Sequence, residues 1–133
     1  MKRVAGLLAA ALVAGCAAQQ PACAPPAVAA PVVELFLGRG LPEGGEVSEA
    51  AWQNFLAEVV TPRFPDGLSV VDAAGQWRQG GALGRERSKL LIIAAPGASD
   101  LEPRLAAVIE AWKTRFQQRT VLRVDRTACV SLR

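Results

Sequence analysis

Apolar positions along the chain fall into runs with clear periods. Val32 to Leu37 (VVELFL) reads as a strand stopped by Gly38, and a loop rich in Gly and charge follows to Glu46. Ser48 stands as an N-cap, with Glu49 in the first turn where the helix dipole favours an acid. Trp52, Phe55, Leu56, Val59 and Val60 then recur at i, i+3, i+4, i+7 and i+8. That is one apolar stripe on an amphipathic helix, which Pro62 ends. Pro65-Asp66-Gly67 is turn chemistry. Leu68 to Val71 begin a second strand, which can continue through Gly75 to Arg78. Glycines between Gln79 and Gly84 mark a hairpin tip. Ser88 to Ala95 (SKLLIIAA) form a third strand, and the near-continuous apolar run predicts a central position for it.

Ser99 with Glu102 three residues on predicts a capping box, and Pro103 is tolerated in the first turn of the helix that follows. Leu101, Leu105, Val108, Ile109, Trp112 and Phe116 make its buried stripe. Thr120 to Leu132 alternate. Leu122, Val124, Ala128, Val130 and Leu132 share one face, with Arg126 as an exception, and Arg123, Asp125, Thr127, Cys129 and Ser131 share the other. The order βαββαβ predicts an α+β, ferredoxin-like fold: a four-stranded antiparallel sheet with two helices on one face and the other face open. The second and fourth strands become the edges, and both carry the Gly or charge that edges need.

Ahead of this domain, Lys2 and Arg3 precede an uncharged, mostly apolar run from Val4 to Ala14. A membrane-spanning helix needs about 20 apolar residues, so this run predicts a signal peptide over residues 1–15. It ends in Val13-Ala14-Gly15-Cys16, which resembles the lipobox of bacterial lipoproteins. The resemblance implies a lipid on Cys16, cleavage before it and a membrane anchor. Ala17, standing where an Asp would signal retention, implies the outer membrane, facing the periplasm. The competing reading is an ordinary secretory peptide cut a few residues later.

Residues 16–31 are rich in Ala and Pro and uncharged, which predicts a semi-rigid tether extending about 3.1 Å per residue. Residues 32–133 remain as one domain. Cys23 and Cys129 are the cysteines left over, and in an oxidising compartment they form one possible disulfide. The first and fourth strands are antiparallel neighbours in the expected topology. The end of the last strand, with Cys129, therefore comes beside the start of the first. Two free thiols are the alternative.

Composition narrows the chemistry. The net charge of +3 drops to +1 once Lys2 and Arg3 are set aside, leaving 13 basic and 12 acidic side chains with their signs interspersed. No basic stripe of the kind nucleic-acid binding requires is present. The chain has neither His nor Tyr, which excludes Ser-His-Asp and Cys-His hydrolases and any His-ligated metal site. No catalytic residue, metal ligand or cofactor is expected.

Candidate ligand-binding residues lie in two places. Arg63 and Asp66, in the loop after the first helix, can hold an anion or each other. Gln76, Trp77 and Arg78 precede the hairpin tip, and Glu86, Arg87 and Lys89 follow it, so they are neighbours across the hairpin, suited to a small planar or sugar-like ligand. A turn with a local ion pair and a cross-strand packing cluster are the competing readings. Glu34 is expected to pair with Arg123 or Asp125 on the open face.

Val47-Ser48-Glu49-x-x-Trp52-x-x-Phe55, Thr61-Pro62-Arg63-Phe64-Pro65-Asp66-Gly67-Leu68, Gly75-Gln76-Trp77-Arg78, Arg87-x-Lys89 and Val121-Leu122-Arg123-Val124 with Ala128-Cys129-Val130 resemble a family of small proteobacterial lipoproteins of unknown function. The resemblance spans the domain and implies location and fold, with no chemistry attached. Three functions stay open: a module binding a small ligand or an envelope partner, a small cofactor-independent enzyme, and a structural homodimer joined through the open sheet face.

Overall fold

The computed structural model describes residues 22–132, so the expected signal peptide, Cys16 and the first part of the tether lie outside the described residues. The order of elements is βαββαβ. Strand β1 (Val28–Gly38) is followed by helix α1 (Glu49–Phe55), strands β2 (Ser69–Gln79) and β3 (Ala82–Ala94), helix α2 (Leu101–Phe116) and strand β4 (Leu122–Val130). The sheet runs β2-β3-β1-β4 with every neighbour antiparallel. This is the ferredoxin-like arrangement, with β2 and β4 at the edges. Strand β1 begins at Val28, taking in the last residues of the segment read as tether.

Ser48 caps α1 as its residue type predicts, its Oγ accepting from Ala51 N at 3.1 Å. The helix widens into a π turn over Leu56–Val60 and tightens to a 3₁₀ turn over Thr61–Arg63. The regular α-helix thus ends at Phe55, ahead of the expected stop, and the helical turns end at Arg63, next to Pro62, which has no N–H to give to a carbonyl one turn back. The start of α2 differs from expectation. Asp100, not Ser99, is the residue before the first turn, and no side chain caps it. Glu102 forms no capping box because its carboxylate reaches β4 and accepts from Arg123 at 2.9 Å. An ionic partner outcompetes a neutral backbone donor.

The unbroken registers fix which residues share a face. Directly opposed residues point the same way, so Val33, Leu35 and Leu37 of β1 and Leu91 and Ile93 of β3 face the helices. Against them pack Trp52, Phe55 and Val60 from the first helical segment and Leu105, Val108 and Trp112 from α2. Aromatic edges meet faces here, with the Phe55 and Trp112 ring centroids 4.9 Å apart at 77°. Phe36, Leu90, Ile92, Leu122 and Val124 point to the opposite side. The apolar stripe of β4 therefore lies on the open face. The expected Glu34 pairing changes accordingly. Glu34 meets Arg126 at 2.6 Å on the open face, while Arg123 and Asp125 face the helices and pair with Glu102 and with each other. Arg126, the exception in the stripe, is thus the counter-ion of the acid that interrupts β1.

Cys23 and Cys129 are bridged, with Cα atoms 5.5 Å apart across 106 residues of sequence. Ala29 pairs with Cys129, so the bridge joins the segment entering β1 to the end of β4.

Candidate functional site

Beyond the helices, β2 and β3 continue as a two-stranded ribbon. Alternation on β3 gives Arg85, Arg87 and Lys89 one common face, the face that carries Leu91 and Ile93 further along. This ladder of three cations runs from the edge of the core outward. Its inner rung is neutralised. Lys89 is 3% exposed, and its Nζ lies 2.7 Å from Asp72 and 2.8 Å from Glu49, above the Trp52 ring. Burial disfavours the ammonium, but the hydrogen bonds to Asp72 and Glu49 outweigh it and hold Lys89 above the usual lysine value. The same bonds hold Asp72 and Glu49 below the ordinary carboxylate range. Arg39, also buried, stands 3.7 Å from Glu49.

The middle rung is half satisfied. Arg87 is opposite Ala74 and has Glu46 at 3.5 Å, with both side chains well exposed. The outer rung, Arg85 opposite Gln76, has no hydrogen bond or ion pair among the described residues. Around these side chains the surface folds into a cleft of about 510 Å³. Arg85, Arg87, Gln76 and Glu46 supply its functional groups, and Ala74, Gly75 and Glu86 complete the lining.

The wall that carries Glu46 is held from several sides. It is a small turn-back from Arg39 to Val47, closed by a Gly40–Glu46 bridge and by Leu41 N donating to Gly45 O at 3.0 Å. Arg39 Nε donates to Val47 O at 2.9 Å. Gly40 N donates to Glu86 Oε1 at 2.7 Å, and Gln118 of the α2 exit donates to Gly40 O at 2.6 Å. Gly38 makes this possible, since a Cβ there would lie 2.6 Å from Glu86 Oε1.

Of the residues singled out in the sequence, Gln76, Glu86 and Arg87 come together at the cleft. Glu86 serves the wall, because its carboxylate is taken by Gly40. Trp77 projects to the other side of the ribbon, against Gly84, whose added Cβ would lie 3.0 Å from the indole. Arg78 donates to Gly81 O at 3.3 Å across the hairpin tip. Arg63 and Asp66 do not pair. Arg63 donates to Val59 O at 2.6 Å, and Asp66 lines a separate cavity of about 120 Å³ with Arg104. Sequence reasoning missed Glu46 and Arg85, and it named Lys89 as a cross-hairpin neighbour without its buried pairing to Asp72 and Glu49. The signal was the spacing Arg85-x-Arg87-x-Lys89, three like charges on one face of a strand whose next residues on that face are core. Among the described residues no group of three or more Cys, Asp or Glu is placed to hold a metal ion, and no helix is long and apolar enough to cross a membrane.

Fold and site define a ferredoxin-like α+β domain with a cation-lined cleft at its ribbon. The chain belongs to a family described as a protein of unknown function (DUF3574), whose model matches residues 32–132. No curated protein matches it. Among solved structures it is similar to a phage SAM lyase in complex with S-methyl-5'-thioadenosine, at 17% identity and a TM-score of 0.59 over 77% of this chain and 90% of that one. It is also similar to CutA from Synechococcus elongatus, at 14% identity and a TM-score of 0.50 over 77% of this chain and 80% of that one. At these identities the likeness is one of fold.

Proposed function

We propose that this chain is an exported lipoprotein, anchored through Cys16 to the periplasmic side of the outer membrane, whose domain binds a small anionic ligand in the ribbon cleft. The observation that carries the binding role is the cation ladder. Lys89 is neutralised by two carboxylates and Arg87 meets one carboxylate at 3.5 Å, whereas Arg85 has no partner among the described residues, so positive charge grows toward the open end of the cleft. Guanidinium forks two residues apart on one strand suit planar carboxylates or phosphates, and Gln76 adds both a donor and an acceptor. The buried Lys89 network fixes the base from which the arginines project, so the ligand meets a preorganised wall.

Thermal unfolding with inorganic phosphate or succinate, against chloride at matched ionic strength, tests the binding role. A ligand at a hundredfold excess over its Kd adds about 2.7 kcal/mol, an upward Tm shift on the order of 10 °C. The shift is expected in the wild type and absent in Arg85→Ala/Arg87→Ala. Equal shifts in both proteins contradict the reading. Anchoring rests on the short apolar run ending at Cys16. Labelling cells with a palmitate analogue is expected to mark the wild type and not Cys16→Ser, and equal label on both contradicts the anchor.

A further inference from the structure

We infer, on the reading of Cys16 as the anchor and of the ribbon as the anion site, that the Cys23–Cys129 bridge holds the cleft turned away from the anchoring membrane. Its ligand is then an anion in the surrounding solution and not a headgroup phosphate of that membrane. The bridge makes Cys23 the point from which the domain hangs. Cys23 is seven residues from Cys16, and a chain of that length spans at most about 25 Å. The cleft is at the other end of the sheet. Ala29 is level with Cys129, Gly38 is nine residues further along β1 and level with Ser88, and Arg85 is three residues beyond Ser88 on β3. At about 3.3 Å per residue these steps carry Arg85 roughly 40 Å from the bridge. The leash is therefore shorter than the domain, and the ribbon cannot be turned end-on to the membrane. Without the bridge the chain would join the sheet at Val28, twelve residues from Cys16, and that leash would reach about 40 Å, as far as the domain is long.

A domain lying on its side is the remaining way down, and the two sides differ. Arg85 and Arg87 project from the side of β3 that faces the helices. Resting on the open face, where Leu122 and Val124 are exposed, points them outward. Only with the helical side down does the cleft meet lipid. Every acid and base of α1, of the turn Leu56–Val60 and of α2 is already ion-paired within the chain. The helices therefore carry no unpaired cation to draw that side onto anionic lipid.

Nuclear magnetic resonance tests this on the protein purified from membranes and placed in lipid nanodiscs that carry a gadolinium headgroup. Paramagnetic broadening is expected to be strong at the Ala29 and Cys129 amides and several-fold weaker at those of Arg85 and Arg87. Inserting about ten Gly/Ser residues after Gln20 makes the leash longer than the domain and is expected to shrink that difference roughly twofold or more. Replacing phosphatidylcholine by phosphatidylglycerol is expected to leave the Arg85 Nε–Hε signal in place, whereas added inorganic phosphate moves it. Equal broadening at both ends of the wild type overturns the inference, as does an Arg85 signal that moves on phosphatidylglycerol alone. So does an end-to-end difference that survives the insertion unchanged, because the leash then does not set it. An Arg85 signal that neither anion moves overturns the anion site and the ligand assigned to it here. The mass of the N-terminal peptide separates the remaining cases. No lipid on Cys16 overturns the anchor and this inference with it, whereas lipid on Cys16 with the ribbon at the membrane overturns the inference alone.

Discussion

Replacing Cys23 and Cys129 by Ser should destabilise the domain more than any single surface change, because the bridge closes almost the whole of it. The cysteines are 106 residues apart. In the chain-entropy model, cross-linking a loop of about that length removes roughly 16 cal/mol/K from the unfolded chain, or about 4.8 kcal/mol at 25 °C, and measured values commonly fall to about 2–4 kcal/mol. The loss should be uneven. Strand β4 is an edge strand paired with β1 alone, and its apolar stripe faces away from the core. Few buried contacts hold its last residues, so the pairs Ala29–Cys129 and Val28–Val130 should open first. Denaturant unfolding of oxidised protein, reduced protein and the double Ser variant gives the global value. Amide hydrogen exchange gives its distribution. The expected result is a fall of about 2–5 kcal/mol, with protection lost earliest over Ala128 to Val130. Equal stability in all three proteins would refute the reasoning, as would a loss centred on α2.

Two further outcomes follow from the site. Lys89→Met should flatten the acid limb of stability. Asp72 and Glu49 are held below their ordinary values of 3.8 and 4.5, so their contribution is present above those values and is lost as pH falls through the folded ones. Lys89, raised above 10.5, contributes fully below that pH and loses its share only as pH climbs through its folded value. Tm measured from pH 2 to 7 on both proteins checks this, and parallel curves contradict it. Gly38→Ala should push Glu86 off Gly40 N–H at a cost of about 1–2 kcal/mol, and that cost should shrink in the Glu86→Ala background. Additive losses in a double-mutant cycle would show that the glycine serves something else.

Local rules made the elements legible. The Trp52–Val60 stripe, the Pro62 stop and the interrupted edge strands are each decided by a few neighbouring residues, and they sufficed for the topology. Pairing across the sheet was not legible in the same way. Alternation shows that Leu122 and Val124 share a side, but only the register with Glu34 and Phe36 says which side, and it sent the stripe outward. The same register exchanged Arg123 for Arg126 as the partner of Glu34. The capping box failed because Ser99 and Glu102 look complete until β4 brings Arg123 within reach. At the cleft, Gln76 and Arg87 were visible from their place beside a glycine-rich tip. Arg85 and Glu46 were not, since Glu46 arrives there through the turn-back from Arg39 to Val47, a contact no local pattern encodes.

The measurement that bears most directly on the account is a titration of the isotope-labelled protein with inorganic phosphate and with succinate, followed by amide and Arg Nε–Hε resonances. An anion-binding cleft predicts saturable shifts confined to residues 74–76, 85–87 and Glu46, with the Arg85 Nε–Hε signal moving most, and their loss in Arg85→Ala/Arg87→Ala. Shifts that grow linearly with salt over the whole surface, or that persist unchanged in the double variant, would contradict it.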